Sequence, residues 1–215
     1  GIAIINDPRL EELCTNKWET YRLFRKHCPQ TELVRNRGEL PAAARRLCHC
    51  ARIVAKPRDG EEGRGIIIGS MEEVCQSVSQ FPCILQEFLD TSAGIPALME
   101  GIHDFRMVVV RGEIVLAFCR TPPPGGLLAN VAQGGSIVPV QYRAIPREAR
   151  RIAGDVDAIF QKFPLRVYSV DVARVHSGTW NIIELNAKPA LFGRNRGEDF
   201  ARFQEALADL LTVPP

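Results

Sequence analysis

Apolar residues recur at helical spacing over 11–27, with Leu13, Trp18, Tyr21 and Phe24 on one side, so the pattern predicts a helix there. Asn16 is placed to cap a helix beginning at Lys17, with Glu19 and Thr20 in its first turn, and Pro29 stops the segment. A short extended piece over 31–34 precedes a second helix over 39–50, opened by Pro41 and rich in alanine and arginine. The period then changes from 3.6 to 2. Strands are predicted over 52–56, 65–69 and 84–89, with a polar, glycine-bearing loop over 57–65 and a short helix over 72–80 closed by Pro82.

After a weakly periodic connector over 91–101, the signal strengthens. Strands over 105–110 and 114–120 flank a turn at Arg111-Gly112-Glu113, the pattern of an antiparallel hairpin. A loop over 121–135 holds three consecutive prolines and four glycines. A helix over 146–162, lined by Ala149, Ile152, Val156 and Ile159, leads to strands over 167–173 and 180–185, joined by a turn near His176-Ser177-Gly178, and to a last helix over 198–211. The order of elements predicts an α+β chain of two closely joined halves that divide near residue 90.

Composition narrows the possibilities. The 215 residues are 46% apolar and 24% charged, ordinary for a soluble globular chain able to bury a sizeable core. Basic and acidic residues number 27 and 25, so a net charge of +2 carries no footprint for nucleic acid or an anionic membrane. The apolar runs are far too short for a spanning helix, and the seven scattered cysteines suit a reducing, cytoplasmic compartment. Cys48-His49-Cys50 has no second pair at zinc spacing, and Cys119 reads as a buried apolar thiol. His103 and Asp104 are consecutive in an extended segment, where neighbours face opposite ways, which argues against cooperation.

The sharpest chemical signal lies in the last pair of strands. Asp171 sits inside an otherwise apolar run, and Glu184 and Asn186 are two apart in the partner strand, hence on one face. If the strands pair through the intervening turn, the two carboxylates lie together and repel unless something positive sits between them. Oxygen donors of this kind suit Mg²⁺; the other reading is of strand-end residues satisfied by water. Lys56 ends an apolar strand before the loop that carries Gly60, Gly63 and Gly65. That loop lacks both the P-loop and the Rossmann fingerprints and is followed by a strand, so it is either a cover whose backbone approaches phosphate or a plain hairpin turn. Lys17 offers a second point charge for phosphate, though alone it is an ordinary helix-surface lysine. Asp104 and Arg106 share a strand face, Arg120 ends the next strand, and Asn130 with Gly134-Gly135 lies in the loop beyond. Converging arginines neutralise phosphoryl groups or clamp a carboxylate; taken singly, each reads as a structural salt bridge.

In this order the motifs resemble the ATP-grasp superfamily. The landmarks are Asn16-Lys17-Trp18, Lys56-Pro57, Gln86-Glu87-Phe88-Leu89, Asp104-Phe105-Arg106, Arg120, Asn130 with Gly134-Gly135, Asp171, and Glu184-Leu185-Asn186, which together span nearly the whole chain. The pattern is similar to glutathione synthetase and to ligases that add glutamate to a ribosomal protein, and its ending to an ATP-grasp branch found around bacterial spore-coat proteins. The resemblance implies two α+β subdomains clasping ATP, with Lys17 and Lys56 on the phosphates and the 59–65 loop folded over them. It implies Gln86, Glu87, Phe88 and Leu89 at the adenine, Glu100 at the ribose, and Asp171, Glu184 and Asn186 holding two Mg²⁺, or Mn²⁺ in their place. Arg106 and Arg120 are implied to face the γ-phosphate and an acyl phosphate formed from a small-molecule or peptide carboxylate, which an amine or thiol attacks. Lys188, which follows Asn186 closely, departs from relatives with small-residue endings and is placed to reach the acceptor or the carboxylate; the basic stretch Arg194-Asn195-Arg196-Gly197 reads either the same way or as a solvated surface turn. Two other functions share these residues: a small-molecule kinase on the same scaffold, and a non-catalytic nucleotide-binding module. Superfamily members usually carry another α/β domain ahead of the first lysine, so the resemblance implies subdomains 16–90 and 91–215 preceded by 1–15 as a remnant or the end of a preceding domain, in a fragment or a trimmed enzyme.

Overall fold

The computed structural model describes residues 5–60, 63–129, 134–189 and 198–212. Its first elements show how one capping residue divides a helical pattern. Asp7 caps α1 (Pro8–Thr15), which ends at Asn16; the Asn16 side chain then accepts from the backbone N–H groups of Trp18 and Glu19 and opens α2 (Lys17–Leu23). The helical spacing over 11–27 is thus shared by two helices, the second beginning at Lys17 as its cap predicts, because extended backbone at Asn16 breaks the ladder between them.

The smaller sheet is built from β1 (Thr31–Val34), β2 (Ile53–Pro57), β3 (Ile67–Gly69) and β4 (Cys83–Glu87), antiparallel in the order β1-β4-β2-β3. Alternation sorts its side chains. Ile53, Ala55, Cys83, Leu85 and Val34 turn to one face, where α3 (Leu40–Arg46) and α4 (Met71–Ser77) cover them through Leu40, Ala43, Ala44 and Val74. Val54, Lys56, Ile84, Gln86 and Thr31 occupy the other face, and all five are buried.

The larger sheet runs β7-β6-β5-β8-β9, from β5 (Asp104–Val110), β6 (Glu113–Thr121), β7 (Ser136–Pro139), β8 (Val167–Arg174) and β9 (Trp180–Asn186), every neighbouring pair antiparallel. Strand β7 was not legible as a strand, since it is short, largely exposed and preceded by the proline–glycine loop. The β5–β6 turn has positive φ at both Arg111 and Gly112 (49° and 92°), the requirement of a two-residue type I′ hairpin. A Cβ at Gly112 would stand 2.6 Å from Asp157 Oδ2, so that position takes glycine only.

One face of this sheet carries the main core. Phe105, Met107, Val109, Tyr168, Val170, Val172, Ile182 and Leu185 meet Ala149, Ile152, Val156 and Phe160 of α5 (Arg147–Phe160), joined by Leu10 and Cys14 of α1 and by Phe24. Residues 8–24 thus pack on the larger sheet although they precede the smaller one in sequence. The opposite face is divided. Val108, Val110, Val115, Phe118 and Val167 pack under Phe203 and Leu210 of α6 (Glu198–Thr212), and the rest of that face is polar.

Candidate functional site

The polar half of that face is a row of charges set by strand register. Arg106 stands opposite Asp171, and Asp171 opposite Glu184, across β5, β8 and β9; Asp104 stands opposite Arg120 across β5 and β6. The Arg106 guanidinium donates to both oxygens of Asp171 at 2.7 and 2.6 Å. Arg120 donates to both oxygens of Asp104 at 2.6 Å and, through the same Nη2, to Asp171 Oδ2 at 2.6 Å. Asp171 is wholly buried. Burial works to raise its pKa, but the charges and hydrogen bonds of Arg106 and Arg120 outweigh it and hold the carboxyl below its ordinary value. Asp104, buried against one arginine, is pushed up to about 7, with burial the larger influence and Arg120 opposing it. Read singly, each arginine promised a structural salt bridge, and the structure has those bridges; it also gathers both arginines on one carboxylate.

A break in the ladder brings Glu184 to this face. Asp171 pairs with Glu184 but its neighbour Val172 pairs with Ile182, so Ile183 is the extra residue of a β-bulge. Ile182 and Leu185 therefore both reach the core while Glu184 lies beside Asp171. The predicted repulsion between the carboxylates is relieved from two sides, by the arginines on Asp171 and by Lys17, whose Nζ is 3.1 Å from Glu184 Oε1.

Lys17 also reaches the smaller sheet. Its Nζ donates to the carbonyl of Gly60, and its backbone N–H donates to the carbonyl of Arg58 at 3.0 Å. The loop after β2 is thereby fastened to the head of α2. Gly65 closes that loop at φ +70°, where a Cβ would lie 2.9 Å from Pro57 Cγ. Lys56, on the buried face of β2, donates to Gln86 Oε1 at 2.7 Å, and Gln86 Nε2 donates to Thr31 Oγ1 at 2.8 Å. Burial lowers the Lys56 pKa to about 8, partly offset by Glu184 and reinforced by Lys17.

These groups line two adjoining cavities between the sheets. One is bounded by Lys17, Lys56, Pro57, Gly60, Gly63, Arg64, Ile66, Ile183 and Glu184. The other is bounded by Lys17, Glu184, Ile183, Gln86, Ile84, Tyr21 and Cys28. The remaining expected residues sit as follows. Gln86 has its side chain on Lys56 and Thr31; Glu87 ends the strand, short of the expected Leu89, and Phe88 and Leu89 follow it half-buried, with the Arg52 guanidinium 5.5 Å from the Phe88 ring centre. Glu100 is exposed on the connector between the sheets. Lys188 Nζ pairs with Glu11 of α1 at 2.9 Å, and the side chain is 78% exposed. Asn130 and the stretch 194–197 lie outside the described residues. His103 Nδ1 donates to the Gly101 carbonyl at 3.0 Å, apart from the Asp104–Arg120 pair, and Cys119 is fully buried with its thiol pushed up to about 12 by burial. Sequence reasoning missed Thr31 and Ile183: a threonine opening a short strand and an isoleucine in an apolar run carry no signal without the register.

As a metal site, Asp171, Glu184 and the amide oxygen of Asn186 supply the hard oxygen donors Mg²⁺ takes, and both Asp171 oxygens also accept from Arg106 and Arg120. Among the described residues no three His, Cys, Asp or Glu side chains gather as a metal site, so the set depends on the Asn186 amide and on ligands from a substrate.

The fold and the chain have known counterparts. The D-cycloserine synthetase DcsG superposes with a TM-score of 0.71 at 18% identity, over 96% of this chain and 73% of that one. The ATP-grasp ligase PsnB, in a complex with a phosphomimetic variant of its minimal precursor, Mg and ADP, gives a TM-score of 0.66 at 19% identity, over 98% and 62%. The architecture is the α+β ATP-grasp fold. In sequence, a probable alpha-L-glutamate ligase of Shewanella halifaxensis is 28% identical over 149 residues, 66% of this chain and 29% of its own, so the chain spans less than a third of that relative. The family described as the RimK-like ATP-grasp domain matches residues 14–202, and to that family the chain belongs.

Proposed function

We propose that this chain is the nucleotide-clasping part of an ATP-dependent ligase that joins a carboxylate to an amine, with a peptide or small molecule as the carboxylate partner. The observation that carries the reading is the convergence of Lys17, Lys56 and Glu184 on one cleft, beside the Arg106–Asp171–Arg120 cluster and under a glycine-bearing loop. Lys17 and Lys56 bind the phosphates as point charges, the second held in place by Gln86. The 59–65 loop covers them and excludes water from an intermediate that water would destroy. Asp171, Glu184 and Asn186 hold Mg²⁺, which neutralises phosphate charge when bound. Arg106 and Arg120 stabilise the negative charge that develops as the carboxylate oxygen attacks the γ-phosphorus and ADP leaves. An amine then attacks the acyl carbon, phosphate departs, and the amine loses one proton. Gln86 to Leu89 meet the adenine and Glu100 the ribose, Asn130 is assigned to the nucleotide from the resemblance alone, and Lys188 faces the acceptor. A cytoplasmic setting accompanies the reading: all seven cysteines are free, and no helix among the described residues is long and apolar enough to cross a membrane.

The test is ADP release from Mg-ATP with panels of amino acids and short peptides, hydroxylamine being added to trap any acyl phosphate as a hydroxamate. Hydroxamate formed by the wild type and lost by at least 100-fold in Glu184→Ala supports the ligase, on the scale of removing one transition-state stabiliser (~10²–10³). A stable phosphoester with no hydroxamate would mean a kinase. Nucleotide binding unchanged in Glu184→Ala, with no turnover in either protein, would mean a binding module.

A further inference from the structure

Ser169 lies two residues before Asp171 on the same face of β8, and it pairs across the sheet with Asn186 of β9. Ser169 is completely buried, and its Oγ has no hydrogen-bond partner among the described residues; the Nδ2 of Asn186 is likewise buried and unpartnered. Two unsatisfied polar atoms on directly opposed residues are unusual, since buried polar groups are nearly always paired. They stand where the apolar strip under α6 meets the charged row, one register step from Asp171 and Glu184.

The chemistry of the two atoms is complementary, because a hydroxyl oxygen accepts and an amide Nδ2 donates. We propose that Ser169 is a positioning residue for the metal: its Oγ accepts from Asn186 Nδ2 in the loaded site and so turns the amide to present Oδ1, and not Nδ2, to the cation. The proposal rests on the reading of Asn186 as a metal ligand. An asparagine amide can bind a cation through only one of its two ends, and a rotation of 180° exchanges them. A fixed acceptor behind Nδ2 removes that ambiguity, as outer partners of metal ligands commonly do. Both atoms are unpartnered as they stand, and this single hydrogen bond would satisfy the two of them.

The experiment measures Mn²⁺ bound by the protein–ADP complex, by electron paramagnetic resonance, in the wild type, Ser169→Ala, Asn186→Asp, the double variant and Glu184→Ala. Ser169→Ala is expected to weaken Mn²⁺ binding by about tenfold, the scale of an outer-partner loss. In the Asn186→Asp background the same change is expected to have little effect, because a carboxylate has two equivalent oxygens and needs no orientation. Thermal unfolding of ligand-free Ser169→Ala should occur at or above the wild-type temperature, since the substitution removes an unsatisfied hydroxyl. Wild-type Mn²⁺ affinity in Ser169→Ala, an equal loss in both backgrounds, or a lowered unfolding temperature would each overturn the proposal. Wild-type affinity in Glu184→Ala would instead overturn the metal-site reading beneath it.

Discussion

Lys56 shows how one buried residue sets a pH dependence. Its pKa of about 8 lies below the ordinary lysine value of about 10.4, so between those limits the unfolded chain holds more protons than the folded one. Stability therefore rises with pH across that window, and the burial penalty is fully present below pH 8. Anion binding works the other way, because a phosphate beside Nζ favours the charged form. Titration calorimetry with ADP at pH 8.5, in two buffers of different ionisation enthalpy, should show uptake of a fraction of a proton in the wild type and none in Lys56→Met. Equal uptake in the two proteins would exclude Lys56 as its source. The lysine itself was legible in the sequence, as the last residue of an apolar run before a glycine loop. Its support was not, because Gln86 reaches it, and Thr31 holds Gln86, only through an antiparallel register that sequence periodicity leaves open.

At the scale of elements, caps and alternation were the legible features, and departures from regularity were not. Asn16 was readable as a cap from its place before Lys17, and the structure gives it both expected backbone donors. Replacing it with alanine should lower stability by about 1 kcal/mol and weaken ATP binding as well, since the same turn holds Lys17 against the Arg58 carbonyl. Urea unfolding and a nucleotide titration on Asn16→Ala check both; an unchanged urea midpoint would show the cap to be idle. The strands of the larger sheet followed from period-2 patterns, because one face is apolar throughout and the other mixed. Strand β7 escaped notice for the opposite reason: both of its faces are largely exposed, so no burial pattern is written into it. Arg106 and Arg120 were visible as two charges in strands, yet their meeting on Asp171 is a property of three strands in register.

Across the molecule, Lys17 joins the two sheets through a single side chain. It belongs to a helix packed on the larger sheet, holds the loop of the smaller sheet through Gly60, and pairs with Glu184 of the larger one. A phosphate that takes Lys17 competes with both contacts, so nucleotide binding and loop position are linked. In the absence of nucleotide, Lys17→Ala should make the 58–66 loop several-fold more susceptible to limited proteolysis, and wild-type protection should change when ADP is added. A cleavage rate identical in wild type and variant would show that the loop is held by other groups. The clasp architecture could be anticipated from the order of motifs along the chain; this self-bridging state could not, because it depends on where two distant backbones come to rest.

The bulge at Ile183 has a consequence for length variation at the site. Because Ile183 has no partner in the β8 ladder, a chain one residue shorter there would restore simple alternation, and Glu184, Leu185 and Asn186 would keep their faces. What the shorter chain would lose is a wall, since Ile183 borders both cavities between the sheets. The cleft thus has an adjustable liner inserted into an otherwise fixed frame of carboxylates. Shape selection for the bound molecule and placement of the charges are written in different residues of the same strand, and each is free to change without disturbing the other.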